Sequence, residues 1–160
     1  DFIIYGSNGV CQVEHIGSME LQGVPDDKMY YTLVPVYEKK SRLFTPVDNH
    51  KVVMRPVISK KEACDLIDHM QEMQVFEIQN EKNRDTVFKE ALKTGDCEEL
   101  VRVIKTIYEK KQERKAQGKK VTAGDERYFK LAEEHLYGEL AIALGIEKDK
   151  VSSYIEKRIA

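Results

Sequence analysis

Just after Val57 the repeat of apolar residues changes from about two to about 3.6. A repeat of two belongs to strands, whose side chains alternate between faces, and a repeat of 3.6 belongs to helices. Strands therefore come first in this chain and helices follow, without alternation. That order argues against a βαβ arrangement and for an α+β chain of two modules, one spanning residues 1–57 and the other 58–160.

The first module reads as several short strands. Val10, Val13 and Ile16 lie between Ser7-Asn8-Gly9 and Gly23-Val24-Pro25-Asp26, both of them turn chemistry. The run from Met29 to Val36 is rich in aromatic and β-branched residues, with Tyr30, Thr32 and Val34 on one side and Tyr31 and Leu33 on the other. Glu38-Lys39-Lys40-Ser41 suits a hairpin loop into a strand over Arg42 to Thr45, and Val52 to Val57 is placed to close the set. Pro35 and Pro46 donate no ladder hydrogen bond and belong at strand ends or edges. So many strands in so short a stretch predict a small, strongly bent antiparallel barrel.

The second module predicts a bundle of about five helices. Ser59-Lys60-Lys61-Glu62 is a capping box, in which each side chain satisfies a backbone N–H of the other residue. Ala63, Leu66, Ile67, Met70 and Met73 follow on one face. A second helix runs from about Lys82 to Thr94, with Gly95 suited to the left-handed position beyond its end. Asp96 and Glu99 open a third, whose apolar stripe is Leu100, Val103, Ile104, Ile107 and Tyr108. Thr122 caps a fourth, with Phe129, Ala132, Leu136, Leu140 and Ala143 inward and Gly145 after it. Val151, Tyr154, Ile155 and Ile159 make a short last helix.

Composition narrows the classes. Among 160 residues, 41% are apolar, enough for a core, which excludes a fully disordered chain. The apolar runs are too short for a spanning helix, and no secretory signal is visible, although the chain starts at Asp1 and not at Met. Cys11, Cys64 and Cys97 are odd in number and form no CxxC, so reduced thiols in a cytoplasmic protein are expected rather than a disulfide framework or a zinc ribbon. Catalytic chemistry has little to hold. His15, His50, His69 and His135 show no ligand spacing, and neither a P-loop nor GxSxG occurs. The acidic pairs Glu98-Glu99 and Glu133-Glu134 read as solvated charge. No enzyme, metal, cofactor or small-molecule substrate is implied.

The net charge of −2 conceals one asymmetry. From Arg102 to Lys120 there are 8 basic residues against 2 acidic ones, Glu109 and Glu113. Two explanations are open. Lysines and arginines grouped at a helix end and in the following loop displace counterions from a nucleic acid backbone. Cations there also complement the helix dipole and keep the surface soluble. With no helix-turn-helix signature, DNA contact would take a form without strong sequence preference. The aromatic strands are similarly open to two uses, filling a small core or leaving an edge strand to pair with another protein.

Short motifs along the chain then carry a resemblance. Asp1-Phe2-Ile3-Ile4-Tyr5, Gly9 and Val13-Glu14 are followed by Thr45-Pro46-Val47, Lys93-Thr94-Gly95-Asp96, Gln112-Glu113-Arg114 and Gly138-Glu139-Leu140-Ala141. This ordered set resembles the CarD/CdnL-type bacterial transcription regulators over nearly the whole chain. The resemblance implies a few residues before Asp1, including a Gly. It implies a Tudor-like barrel that binds the RNA polymerase β subunit, a module shared with transcription-repair coupling factors. It also implies a helical domain that contacts promoter DNA beside the melted region, and a cytoplasmic, nucleoid-associated protein.

Two departures from the family pattern stand out. Relatives use a Trp as a minor-groove wedge near the start of the helix before the Gly-Asp motif; this chain has no Trp, and Glu81 aligns there, with Phe76 and Ile78 as neighbouring substitutes. Relatives set barrel arginines against polymerase; Met19 and Phe44 align there, with Arg42 close by. The expected polymerase contacts are thus Met19, Arg42 and Phe44. The expected DNA contacts are Lys82, Arg84 and Lys89 around the second helix, with Arg84 on a basic family position. Arg102, Lys105, Lys110, Lys111, Arg114, Lys119 and Lys120 are added from the basic window. The function implied is non-enzymatic stabilisation of the open promoter complex. The alternative is a polymerase-binding protein whose helical module engages another protein, which Glu81, the missing Trp and the acidic total favour.

Overall fold

The computed structural model describes residues 1–18, 29–49 and 51–159. Met19, the turn at Gly23-Val24-Pro25-Asp26 and His50 lie outside the described residues. The chain forms two compact units, Asp1–Val57 and Ile58–Ala160. The layout is α+β, with strands in the first unit and helices in the second, as the change of period predicts.

The first unit is one antiparallel sheet of five strands: β1 (Phe2–Tyr5), β2 (Val10–Ser18), β3 (Met29–Pro35), β4 (Leu43–Pro46) and β5 (Met54–Pro56), in the order β4-β3-β2-β1-β5. β1, which periodicity had not marked as a strand, pairs with both β2 and β5. Gly6 opens the turn between β1 and β2 at φ +49°, and a Cβ there would stand 2.6 Å from Val52 Cγ1, so the site excludes other residues twice over. Ile4, Val10, Cys11 and Leu33 fill the core, where burial pushes the Cys11 thiol up to about 11. The expected closed barrel does not form: among the described residues no ladder joins β4 to β5. Both outer strands are short, four residues in β4 and three in β5, which leaves little backbone for the two edges to pair through.

The second unit packs five helices: α1 (Lys60–His69), α2 (Glu81–Thr94), α3 (Cys97–Ala116), α4 (Ala123–Leu144) and α5 (Val151–Ile159). Phe88, Leu100, Val103, Ile107, Leu136 and Leu140 form the centre of their shared core. Both arms of the Ser59–Glu62 capping box are made, each at 3.1 Å. Asn80, Asp96 and Thr122 cap α2, α3 and α4, and Gly95 and Gly145 close α2 and α4 in the left-handed region.

Three details depart from the sequence pattern. α1 stops at His69, passes through a 3-10 turn and leaves Met73 extended. The reason is Lys105, whose ammonium donates to the carbonyls of Met70 at 3.1 Å, Gln71 at 3.0 Å and Met73, so the chain end needs no further helical turn. On α4 the buried ring is Tyr128, whereas Phe129 is only half-buried. On α3 Tyr108 is not part of the inward stripe. It is 55% exposed, because it sits about 100° around the helix from the fully buried Ile107.

Glu139 is 1% exposed, yet it is well satisfied. One carboxylate oxygen accepts the Ile58 N–H at 3.0 Å and the other the Cys97 thiol at 3.1 Å, which ties α4 to the starts of α1 and α3. All three cysteines are free thiols.

Candidate functional site

Each unit offers its own surface. In the first, β4 is an edge strand whose residues alternate sharply. Thr45 points inward and is buried, its hydroxyl accepting from Asn49 Nδ2 at 2.9 Å, while Phe44 beside it is 51% exposed opposite Thr32 of β3. Among the described residues no strand pairs with the outer side of β4, and an exposed aromatic on such an edge suits pairing with a second strand. Arg42, just before β4, holds Glu14 of β2 at 3.3 Å with both side chains about half exposed. Such a surface pair is worth little and exchanges partners readily. Met19, the third expected contact, lies outside the described residues.

In the second unit the ten expected DNA contacts separate by what their charged groups already do. Three are engaged inside the fold. Arg84 is bound to Asp125 through Nε at 2.8 Å and Nη2 at 2.7 Å and stacks over Phe88. Arg102 lies over the Phe76 ring at 4.0 Å and donates to the Gln74 carbonyl at 3.0 Å and to Glu99 at 3.3 Å. Lys105 holds the end of α1. Their donors point at protein, which leaves them little to offer a phosphate.

Three more are tethered at the surface. Lys89 pairs with Asp85 one turn back at 2.9 Å, and that bond raises the lysine pKa. The Asp85 carboxyl is held down first by the Tyr128 hydroxyl, which donates to it, and then by Lys89. Lys110 reaches Glu81 at 3.6 Å, and Arg114 donates to the Lys120 carbonyl at 2.6 Å, fastening the loop after α3. Lys82, Lys111, Lys119 and Lys120 are exposed.

Two features of this surface escaped the sequence reading. Lys115, exposed and in the last turn of α3, extends the row begun by Lys111. Tyr108 stands on the same side of α3, one turn before Lys111. The i, i+3, i+7 spacing of Tyr108, Lys111 and Lys115 was the available signal, but Ile104, four residues earlier, drew the tyrosine into the apolar stripe.

The position aligned with the family wedge has a different character. Glu81 is exposed at the first turn of α2, beside a cleft of about 160 Å³ that Phe76, Ile78, Glu109 and Glu113 help to line. Neither neighbouring substitute projects from the surface: Phe76 lies under the Arg102 guanidinium, and Ile78 packs on the core.

Comparison with known families gives two matches. Residues 1–58 match the CarD-like/TRCF RID domain, an RNA polymerase-interacting domain. Residues 65–156 match the CarD C-terminal domain.

Proposed function

The chain belongs to the CarD-like family, and from that premise we propose that it regulates transcription initiation without catalysis, docking on the RNA polymerase β subunit and contacting promoter DNA. The observation that carries the reading is the polymerase-interacting domain over residues 1–58, with Phe44 exposed on its open edge. Strand pairing along β4, with Phe44 in an apolar pocket of the partner and Arg42 released from Glu14, is the contact this edge supports.

DNA contact falls to the exposed end of α3 and the loop beyond it: Lys111, Lys115, Lys119 and Lys120, with Lys82 on α2. Such a patch is modest by itself. Tethering to polymerase turns the DNA encounter into an intramolecular one and raises the effective concentration to roughly the millimolar range, so a modest patch suffices. Holding polymerase and DNA together stabilises the open complex. A protein in this role works in the cytoplasm, at the nucleoid.

A second reading, with the helical unit engaging protein, draws support from Glu81, whose exposed carboxylate repels phosphate at the wedge position. One experiment separates the two. Full-length protein is titrated against the β-subunit N-terminal lobe and against a forked promoter fragment at several salt concentrations. Micromolar binding to the lobe with a log-log salt slope of about −0.9 per phosphate on DNA is the expected result. Lobe binding with no measurable DNA affinity at low salt would select the protein-binding alternative. Failure to bind the lobe would reject the polymerase reading.

A further inference from the structure

Tyr108 is a large ring left in solvent in the middle of a long helix. Among the described residues of the helical unit, the exposed large apolar side chains are Tyr108 and Leu131. Most exposed aromatic residues need no explanation; the arrangement of charge around this one does.

The two acidic residues of the basic window are on another side. Glu109 and Glu113 turn about 100–140° away from Tyr108 and line the cleft that also holds Glu81. On the tyrosine's own side stand Lys111 and Lys115, both exposed, at i+3 and i+7. Lys105, at i−3, is drawn off to the carbonyls of Met70, Gln71 and Met73 and leaves the ring uncrowded. Gln112, at i+4, is exposed and neutral. The helix therefore keeps its acids on one flank and offers an aromatic face with cations alone on the other.

An aromatic ring among cations suits an anionic chain that carries flat rings of its own. Lys111 and Lys115 stand roughly 4.5 and 10.5 Å along the axis from Tyr108. The two lysines are thus about 6 Å apart along the helix, on the side of the ring, where long flexible side chains can meet successive phosphates of a strand that rests a base on Tyr108. In paired duplex the faces of the bases are covered by their neighbours, whereas in an unpaired strand they are open to an aromatic platform.

We infer that Tyr108 is a stacking platform for an unpaired base of the DNA, with Lys111 and Lys115 on the adjoining phosphates. This inference rests on the DNA reading above. It adds a preference for melted over paired DNA that does not depend on a wedge at Glu81.

The test uses full-length protein and two oligonucleotides at low salt: a fork with 2-aminopurine in its unpaired arm, and a duplex of the same length. Affinity is read by anisotropy and stacking by 2-aminopurine emission. The parent protein is expected to bind the fork more tightly than the duplex and to change the probe's emission. Tyr108→Ala should weaken fork binding about tenfold or more, abolish the emission change and leave duplex affinity within about twofold. Tyr108→Phe should retain both signals. Since the ring is exposed, the circular dichroism melt of each variant should match the parent.

Parental fork affinity and emission in Tyr108→Ala would overturn the platform while leaving DNA binding in place. Equal losses on fork and duplex would also overturn it. A parent protein that binds neither oligonucleotide would remove the DNA reading and this inference with it.

Discussion

Arg84 of α2 grips Asp125 of α4 with two parallel hydrogen bonds, at 2.8 and 2.7 Å, and the two side chains are only 11% and 8% exposed. A bidentate pair so far from water works only as a pair, because either charge left alone would be buried without a partner. Asp125 occupies the first turn of α4, where its own N–H donates to the capping hydroxyl of Thr122 at 3.2 Å. The pair thus fastens α2 to the start of α4. Arg84→Ala or Asp125→Ala should each destabilise the helical unit by about 3–5 kcal/mol, while replacing both by apolar residues of similar volume should restore most of that. Urea unfolding followed at 222 nm measures it. A single substitution within about 0.5 kcal/mol of the parent would mean the pair carries no tertiary load.

Phe44 on β4 is exposed and Leu33 on β3 is fully buried, so substitutions at these two positions should separate binding from folding. Phe44→Glu should abolish binding to the β-subunit lobe and change stability by no more than about 0.5 kcal/mol, as expected for a surface site. Leu33→Ala, on the buried side of β3, should cost about 2–5 kcal/mol through its cavity. Isothermal titration against the lobe, alongside thermal melts, gives both numbers. If Phe44→Glu unfolds the strand unit instead, the ring contributes to the core despite its exposure.

The legible part of this chain was local. A capping box at Ser59 and Glu62, a helix stop at Gly95 or Gly145 and strand ends at Pro35 and Pro46 each involve groups a few residues apart, and all stand as the pattern implies. What stayed hidden depends on distant partners. Arg84 looks like any helical arginine until Asp125 arrives 41 residues later, and Lys105 looks solvated until the end of α1 folds against it. Whether a sheet closes depends on how far its outer strands extend, and strand count alone led to a closed barrel where, among the described residues, no ladder joins the two outer strands. At the candidate DNA surface the sequence located the basic window but not which of its members are free of internal work. It also assigned Tyr108 inward because the tyrosine lies four residues after Ile104, but Ile104 is itself only half-buried, at the edge of the stripe.

The sorting of basic residues has a direct consequence. Lys105→Met removes the donor to the three carbonyls at the end of α1 and should destabilise the unit by about 1–3 kcal/mol, with DNA affinity unchanged wherever the protein remains folded. Lys111→Glu combined with Lys119→Glu should do the reverse: stability within about 0.5 kcal/mol, but a marked loss of DNA affinity and a salt slope shallower by about 0.9 for each phosphate no longer neutralised. Anisotropy titrations at several salt concentrations, paired with urea melts, decide the matter. If Lys105→Met weakens DNA binding in fully folded protein, or the lysine pair does not, the division between engaged and exposed cations is wrong.

His135 offers a pH test of the helical core. The residue is half-buried on α4, and desolvation lowers its pKa below the usual 6.5, with Glu134 opposing the shift and Lys148 adding to it. The sign follows from proton counting. Below pH 6.5 the unfolded chain takes up a proton on this ring that the folded protein still refuses, so this residue's contribution falls as pH drops through 6.5 toward the folded value. His69 works in the opposite direction. It is exposed on α1, and its bond to the Asp65 carbonyl raises its pKa, so its contribution is present at low pH and is lost as pH rises through the folded value. A melt of the parent protein sums the two effects, and a variant separates them. His135→Gln cannot take up the proton, so its stability relative to the parent should improve between about pH 7.5 and about pH 5.5. Chemical denaturation of both proteins at the two pH values gives that difference, and an offset that stays the same at both would show that the ring titrates alike in the folded and unfolded chain.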